Sequence, residues 1–438
     1  MSAWPCGAVN PALKAGAVAR SAIMEIVNAL MGRFVKVGSL TILDAGGRTH
    51  ELKGDAPGPD VIVKLHDKKL HHQLLLNPEL RTGEAYMDGT LTIEKGTLRD
   101  LLTLYSLNRT NLRAGPIQKR SRRWIKRMRG FLPKNDASRS KKNVEAHYDL
   151  SNDMYRLFLD EGMNYSCGYF RTPADTLDAA QVAKLRHIAS KLDLKPGQRV
   201  LDIGSGWGSM AIYLAENCGV EVLGVTLSTE QHALATQRAA ERGLSDRVKF
   251  ELRDYREVQG PFDRIVSVGM FEHVGLKNIP EFFVKIRSLL KEDGVALLHS
   301  IGRKGGPGST GAWVKKYIFP GGYAPALSET MPAIEAAKLW VTDVEIWRMH
   351  YAETCLAWGN RFEANRDKAA AMLGDRFCRM WEFYLLISEF SFRYGKHMVF
   401  QIQMTRDVDA VPLTRDYMGA AEARLEAGEA KAPAAAVG

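Results

Sequence analysis

Cysteine is scarce in this chain. Among its 438 residues there are five cysteines, Cys6, Cys167, Cys218, Cys355 and Cys378, and none of them forms a C-x-x-C pair. An odd number of scattered cysteines argues against a disulfide framework, and the lack of paired spacing argues against zinc. We therefore expect no metal centre and a reducing, cytoplasmic environment.

Long apolar stretches are also lacking. A membrane-spanning helix needs about 18 or more consecutive apolar residues, and nothing in the sequence approaches that length. The N-terminal stretch 17–31 is interrupted by Arg20, Glu25 and Asn28, which is unlike a signal peptide. These absences exclude an integral membrane protein with helical spans from the expected classes.

Acidic residues are almost absent from the segment 115–143. Eleven lysines and arginines in it face one acid, Asp136, and the net charge of the whole chain is +10. Trp124, Met128 and Phe131 recur at helical spacing among the cations, which suits an amphipathic helix at an anionic membrane surface. A solvated linker explains the pattern equally well, whereas nucleic-acid binding explains it less well.

The part of the chain after residue 143 alternates between strand and helix patterns. Strands are predicted at 200–203, 220–225, 248–252, 263–268, 295–300 and 398–404, with helices such as 179–192, 229–242 and 281–290 between them. This alternation predicts an α/β fold, a Rossmann-like doubly wound sheet covered by helices on both faces. Ligands bind such sheets at the carboxyl ends of the strands.

A smaller α+β domain precedes this sheet. Helices are predicted over 21–34, 74–80 and 97–107, strands over 38–43 and 61–65, and a polar turn over Gly83–Gly89. The predicted organisation is an α+β domain (1–114), a basic amphipathic linker (115–143), a doubly wound α/β domain (144–408) and a flexible C-terminal tail (409–438). From about Gly419 the tail is rich in alanine and glutamate, which predicts a frayed helix or disorder.

The first strand of the large domain runs into a glycine-rich loop, Val200-Leu-Asp-Ile-Gly-Ser-Gly-Trp-Gly208. Glycine permits the sharp bend and the close approach of a ligand that such a loop requires. Ser209 stands where the third glycine of a dinucleotide-binding G-x-G-x-x-G pattern would fall. The spacing instead resembles the loop of class I S-adenosylmethionine (SAM) methyltransferases, although a glycine turn in any doubly wound sheet explains it about equally well.

Polar residues follow the other strands of the predicted sheet. Thr226 and Gln231 stand where many methyltransferases place a ribose-binding acid, and Asp254-Tyr255 suits adenine recognition, although Asp254 alone is as consistent with a turn. Glu272 and His273 follow the fourth strand, and His299 lies in the fifth. Two histidines at neighbouring strand ends beside an acid favour a substrate site.

Several long motifs together resemble the cyclopropane-fatty-acyl-phospholipid synthases and mycolic acid cyclopropane synthases. These motifs are the glycine loop, Tyr165-Ser-Cys167, 263–275 and 298–301. Gly83–Gly89 and Trp313–Gly322 also match the bacterial phospholipid enzymes, which implies that 1–114 is a lipid-associated domain and that 144–408 is the SAM-dependent methyltransferase domain. The resemblance implies a SAM-dependent enzyme that transfers the SAM methyl group to a cis double bond of a membrane lipid acyl chain.

The resemblance also implies roles for individual residues. Bicarbonate, the general base of the family, would be held by Cys167, Glu272, His299, Tyr351 and the backbone of Ile301. Without the resemblance, Cys167 is best explained as a buried small hydrophobe. SAM would contact Tyr165, Ser166, Gly204, Gly206, Gly208, Thr226, Gln231, Asp254 and Tyr255. The family further implies membrane phospholipids as substrates, a peripheral position at the inner face of the membrane and a homodimer.

Two positions depart from the family pattern. Ser205 replaces a cysteine of the glycine loop, and Ser388 replaces a cysteine that has sometimes been regarded as catalytic. Formation of a cyclopropane is the leading expectation. A methyl- or methylene-branched acyl chain and a small-amine N-methyltransferase remain the alternatives, and Cys167 speaks against the last.

Overall fold

The computed structural model describes residues 34–111 and 151–430. The chain divides into two compact units, one of Met1–Phe131 with Asp375–Phe383 and the other of Leu132–Gly374 with Tyr384–Gly438. The basic segment 115–143, both of its predicted boundaries and most of the helix predicted over 21–34 lie outside the described residues. No helix of the described ranges is long and apolar enough to cross a membrane.

The N-terminal unit contains a four-stranded sheet in the order β2-β1-β3-β4, with β1 parallel to β3 and antiparallel to β2. Its elements are β1 (Val37–Leu43), β2 (Thr49–Lys53), β3 (Ala56–Leu65), α1 (Leu70–Leu76), α2 (Pro78–Met87), β4 (Leu91–Lys95) and α3 (Leu98–Asn108). Leu40, Val61 and Leu104 are among the residues of its apolar core. The strands β2 and β4 are too short and polar to be predicted from their sequence.

The turn predicted over Gly83–Gly89 is wrong, because α2 continues to Met87. The helix begins at Pro78, and the side chain of Asn77 caps it by accepting a hydrogen bond from the Leu80 N–H. Ala85 and Met87 are buried. Burial of these apolar side chains stabilises the helix more than the polar residues of 83–89 favour a turn.

The larger unit is organised around a seven-stranded sheet in the order β10-β11-β9-β8-β5-β6-β7. Its strands are β5 (Arg199–Ile203), β6 (Glu221–Thr226), β7 (Val248–Leu252), β8 (Phe262–Val268), β9 (Leu290–Arg303), β10 (Trp340–Trp347) and β11 (His397–Thr405). The strands β5 to β9 are parallel where they pair, whereas β11 is antiparallel to both of its neighbours. The predicted Rossmann-like α/β fold is therefore confirmed, with an antiparallel edge added to it.

Helices cover both faces of this sheet. The helices of the larger unit are α4 (Asn152–Arg156), α5 (Leu177–Lys191), α6 (Ser209–Cys218), α7 (Thr229–Glu241), α8 (Ile279–Leu289), α9 (Ala312–Tyr317), α10 (Leu327–Ala336), α11 (His350–Ala364), α12 (Arg366–Leu373), the part of α13 (Asp375–Arg393) that follows Phe383, and α14 (Asp416–Glu429). Ile265 and Ala296 belong to one apolar cluster, whereas their neighbours Val266 and Leu297 belong to another. The alternation of side chains along buried strands thus builds a core on each face.

The C-terminal tail differs from the flexible segment predicted over 409–438. Residues 416–429 form α14, which packs against α5, and its Met418, Ala421 and Leu425 are buried at helical spacing. Arg186 of α5 binds Glu429 with a nitrogen–oxygen distance of 2.7 Å. The prediction of a flexible tail is therefore wrong for 416–429, where the frayed helix that was the alternative is an ordered helix docked against α5.

Candidate functional site

A cavity lies at the carboxyl ends of β5, β6, β7 and β8. Of the nine residues predicted to contact the cofactor, eight line this cavity: Tyr165, Ser166, Gly204, Gly206, Thr226, Gln231, Asp254 and Tyr255. Six of them come from the carboxyl end of β6 and from the segments that follow β5, β6 and β7, which the parallel topology brings to one edge of the sheet, and Tyr165 and Ser166 come from the segment before α5. Their roles toward SAM remain predictions, but the fold collects them at one place.

Positive φ angles explain two glycines of the loop. Gly204 has a φ of 82°, and a Cβ built on it would lie 2.6 Å from the Cβ of Met270, so a larger residue would clash. Gly206 has a φ of 54°, and nothing lies within 4 Å of a Cβ built there. The loop therefore turns tightly against the 269–272 segment and leaves open space over Gly206.

Gly208, the ninth predicted residue, does not line the cavity. It precedes α6 with a φ of 86°, and a Cβ on it would meet the ring of Phe250 at 2.7 Å. The third glycine of the loop therefore serves the close packing of helix on sheet.

Thr226 and Gln231 are linked to each other. The Thr226 hydroxyl donates to Gln231 Oε1 at 2.9 Å, and both residues are buried. Asp254 is held by its own neighbour, since Arg256 Nη2 donates to Asp254 Oδ2 at 2.6 Å. An amine that approaches Asp254 therefore meets a carboxylate whose pKa is already lowered by Arg256 against the opposing effect of burial.

Lys184 and Asp202 line the cavity, although the sequence alone assigned neither a role. The Lys184 ammonium donates to Asn164 Oδ1 at 2.8 Å and to the Ser166 hydroxyl at 3.0 Å. Burial lowers the pKa of Lys184 to about 8. The one sequence signal for Asp202 is its position, as an acid within β5 two residues before the first glycine of the loop. No sequence signal indicates Lys184.

Asp202 is a buried acid with an unused oxygen. Among the described residues its Oδ2 has no hydrogen-bond partner, and burial raises the pKa of the carboxyl to about 7 against the lowering effect of Lys184. A buried acceptor without a partner carries a desolvation cost that a bound donor removes. A cationic ligand group in the cavity would provide that donor.

Glu272 follows β8 in a short 3₁₀ turn, Phe271–His273. Its Oε1 accepts a hydrogen bond of 2.6 Å from the backbone N–H of Ile301, which holds the carboxyl against β9. Its Oε2 is buried and has no hydrogen-bond partner in the described ranges. Burial raises the pKa of Glu272 to about 7, while the Ile301 bond acts in the opposite direction.

His299 and Ile301 are two residues apart in β9 and thus share one face of the strand. His299 is 2 % exposed, and burial lowers its pKa to about 3, with a smaller contribution from Lys184. Trp347 meets the His299 ring at a right angle, with the ring centres 5.0 Å apart. His299 is therefore a neutral imidazole at physiological pH.

Cys167 and Tyr351 are the remaining two of the five residues predicted to hold the anion. Cys167 is fully buried in an apolar cluster with Trp347, against which Ile301 and Tyr351 pack. Burial raises the pKa of the Cys167 thiol and that of the Tyr351 phenol well above their ordinary values, so both remain protonated. The fold thus connects all five residues predicted to hold the anion through direct contacts or through Trp347.

Ser388 lies in α13 and is half-buried. Its carbonyl accepts a hydrogen bond from Ser391. Four residues earlier in the same helix, the Tyr384 hydroxyl lies 2.7 Å from that of Tyr165, a residue of the cavity. The position of the family cysteine is thus one helical turn from a residue that contacts the cavity wall.

Comparison with known proteins identifies the family. The model of the mycolic acid cyclopropane synthetase family matches residues 135–402. The cyclopropane-fatty-acyl-phospholipid synthase of Escherichia coli K12 is 38% identical over 362 residues, which span 82% of this chain and 90% of the relative. A probable fatty acid methyltransferase of Pseudomonas putida is 36% identical over 350 residues, spanning 77% and 85% of the two chains.

Solved structures agree with this result. A mycolic acid cyclopropane synthase in complex with S-adenosylhomocysteine and CTAB superposes with a TM-score of 0.57 at 35% identity, over 60% of this chain and 97% of that one. A coclaurine N-methyltransferase superposes with a TM-score of 0.61 at 20% identity, over 74% and 98% of the two chains, and supports the fold alone. The chain therefore belongs to the mycolic acid cyclopropane synthetase family of SAM-dependent methyltransferases.

Proposed function

We propose that the protein transfers the methyl group of SAM to the cis double bond of an unsaturated phospholipid acyl chain and closes a cyclopropane ring. The observation that carries this proposal is the group of Glu272, His299, Tyr351 and Cys167 next to the SAM cavity, of which His299 and Cys167 are buried and Glu272 and Tyr351 half-buried. An amine nucleophile needs no such set of neutral donors. An alkene does need a separate base, because its methylation produces a cation that must lose a proton.

The donor set fits an anion. At neutral pH the His299 imidazole, the Tyr351 phenol and the Cys167 thiol are uncharged, and each carries one hydrogen. That of the Cys167 thiol is donated to the Gly168 carbonyl at 3.4 Å, so Cys167 reaches an anion only by turning away from that carbonyl. The Glu272 carboxyl, with its pKa near 7, donates from Oε2 when it is protonated. Bicarbonate, when bound there, supplies the base that accepts the proton.

The backbone of Ile301 has a more limited role than the resemblance implies. Its N–H already donates to Glu272 Oε1. It therefore orients the Glu272 carboxyl and reaches an anion only by sharing that hydrogen bond. In the proposed reaction Ile301 acts chiefly through the position of Glu272.

The bond changes are balanced. The bond between sulfur and the methyl group breaks as the methyl carbon bonds to one alkene carbon, which leaves S-adenosylhomocysteine and a carbocation. Loss of a proton from the transferred methyl group then closes the ring. The protein contributes by holding the sulfonium in line with the alkene and by excluding water from the cation.

The residues of the SAM cavity lie next to the residues proposed to hold the base, which supports this reaction. Gly204 approaches Met270 so closely that no Cβ fits between them, and Met270 precedes Glu272 by two residues. Ser166, a cavity residue, is the chain neighbour of Cys167. We therefore propose that SAM lies on one side of the alkene and the base on the other side.

The proposed substrate is a phospholipid in a membrane, reached from the cytoplasmic face. The support is the cationic composition of 115–143, which suits anionic lipid. A homodimer is part of the same proposal on family grounds alone.

Lipid analysis tests the proposal. A bacterial host without such an enzyme would express the chain, and its fatty acids would be measured by mass spectrometry. The expected result is a gain of one CH₂ per monounsaturated chain, with cyclopropyl protons in the ¹H NMR spectrum. Unchanged fatty acids in cells that contain folded protein would refute it.

A branched product is the second candidate. Besides the Pseudomonas putida relative, a tuberculostearic acid methyltransferase of Mycobacterium tuberculosis is 36% identical over 345 residues. The NMR spectrum separates the two products, since a branched chain carries no cyclopropyl protons. Such a result with an intact methyl transfer would assign the protein to the branched class.

A further inference from the structure

Gln401 faces His299 from the neighbouring strand. The two residues lie directly opposite each other in the antiparallel pair β9 and β11. Gln401 is fully buried, and its Nε2 lies 3.1 Å from His299 Nδ1. Cross-strand partners share one face of a sheet, and within 34–111 and 151–430 the side-chain amide of Gln401 is bonded to His299 alone.

The direction of this hydrogen bond decides which nitrogen of His299 carries the proton. The imidazole is neutral, so it has one N–H and one lone pair. In one arrangement the Gln401 amide donates to Nδ1, and the proton of His299 is on Nε2. In the reverse arrangement Nδ1–H donates to the amide oxygen, and Nε2 is a bare lone pair.

Counting unsatisfied groups favours the first arrangement. When the Gln401 amide donates to Nδ1, the Gln401 oxygen and the second hydrogen of its amide have no partner among the described residues. The reverse arrangement would leave both amide hydrogens without a partner. Buried N–H groups without acceptors are rarer in proteins than carbonyl oxygens without donors.

The neighbouring charges do not compete for Gln401. Strand β11 lies between β9 and β10, and Glu345 of β10 is the cross-strand partner of Gln401 on the side away from His299. The Glu345 carboxylate is already bound by His187 Nε2 at 2.8 Å and by the Lys191 ammonium. Trp347, two residues further along β10, packs against the His299 ring and restricts its rotation.

We propose that Gln401 is a positioning residue that keeps the proton of His299 on Nε2, so that His299 offers an N–H donor to the bound anion. This inference rests on the proposed role of His299. With the other tautomer, a lone pair would face the anion oxygens, and repulsion would replace a hydrogen bond. Gln401 itself touches neither the lipid nor SAM in this scheme.

The test compares two buried glutamines of the same strand. Gln401→Met removes the partner of His299. Gln403→Met is the matched control, because Gln403 is equally buried but donates to the Lys191 carbonyl and the Tyr417 hydroxyl and accepts from the Thr342 hydroxyl. Gln401→Glu is the reversing variant, because a carboxylate can only accept and so draws the proton of His299 to Nδ1.

Nitrogen NMR of the full-length protein with ¹⁵N-labelled histidine reads the tautomer directly, and His299→Asn identifies the signal. In the wild type we expect a neutral ring with its proton on Nε2. In Gln401→Glu the proton should be on Nδ1 or on both nitrogens, whereas Gln403→Met should resemble the wild type. A wild-type ring with its proton on Nδ1 would overturn the proposal, and this readout needs neither lipid nor bicarbonate.

Kinetics test the consequence for the reaction. Gln401→Met should lower kcat about tenfold with an unchanged KM for SAM, the loss expected for one hydrogen bond to a charged group. The decrease should exceed that of Gln403→Met. Equal decreases in the two variants would show that Gln401 is merely structural. If the wild type forms no lipid product at all, the proposed function fails while the NMR result still decides the tautomer.

Discussion

Glu272 and Asp202 are carboxyls that the fold has moved out of water and left with one oxygen unbonded in the described structure. In both, burial raises the pKa to about 7. Glu272 belongs to the residues proposed to bind the anion, Glu272, His299, Tyr351 and Cys167, which we call the anion group. Asp202 lies in the SAM cavity. Each is costly to bury, and in an enzyme such a cost is offset when a ligand binds.

The anion group is expected to act in turnover and not in cofactor binding. Glu272→Gln, His299→Ala and Tyr351→Phe should each reduce kcat by a hundredfold or more, because each removes a contact to the base in the transition state. Titration calorimetry should give SAM affinities within about threefold of the wild type. An equal loss of SAM affinity in all three variants would contradict the separation of the two groups.

Asp202 should make SAM binding depend on pH. The free carboxyl is neutral below its pKa of about 7 and negative above it. We propose that the negative form holds the α-ammonium group of SAM. Affinity should therefore rise about tenfold from pH 5.5 to 7.0, a range that lies below the pKa of an α-ammonium group. Calorimetry should find a nearly flat profile for Asp202→Asn. A wild-type affinity that falls over this range would contradict the assignment.

At the scale of single elements, α14 makes a clear contribution to stability. Leu425 is 9 % exposed and joins the apolar cluster formed around α6 and β5, while Glu429 accepts hydrogen bonds from Arg186 and from the Tyr213 hydroxyl. A polar, alanine-rich sequence thus becomes an ordered helix through a few specific contacts.

Leu425→Ala tests this contribution. It should lower the free energy of unfolding by about 2–3 kcal/mol, since a buried leucine is truncated. Leu413→Ala, the same change at a fully exposed leucine, should alter it by no more than about 0.5 kcal/mol. Urea unfolding measures both, and equal values for the two variants would show that α14 is not docked in solution.

Local sequence patterns predicted some elements and could not predict others. The glycine loop and the alternating strands β5 to β9 carry strong local signals, and the structure agrees with them. Strand β10 was missed because Trp340–Trp347 mixes charged and apolar residues, and its place is decided by pairing with β11. The contacts of Lys184 and Gln401 join residues far apart in the chain, so no local pattern could indicate them.

On the scale of the whole molecule, the proposal joins a SAM cavity, an anion group and a cationic segment. The first two lie in the larger unit, whereas the segment 115–143 is known from its composition alone. If the segment binds anionic lipid, the attraction should weaken with salt, because exposed charges are screened.

Vesicle binding tests the segment. The variant replaces Arg122, Arg123 and Lys126 with glutamine, and the control replaces the exposed Lys195, Lys249 and Lys368. The first set should lose up to about 3 kcal/mol of binding to vesicles that contain phosphatidylglycerol. The control should bind as the wild type does in sedimentation assays. Equal losses would show that only the net charge matters.

The most direct test of the central claim follows the hydrogens of the transferred methyl group. Purified protein would react with SAM that carries a CD₃ group and with vesicles of dioleoyl phospholipid, and the fatty acids would be analysed by mass spectrometry. Ring closure removes one hydrogen from that methyl group, so we predict a cyclopropane that retains two deuterium atoms. A product that retains all three, or no labelled product, would contradict the account.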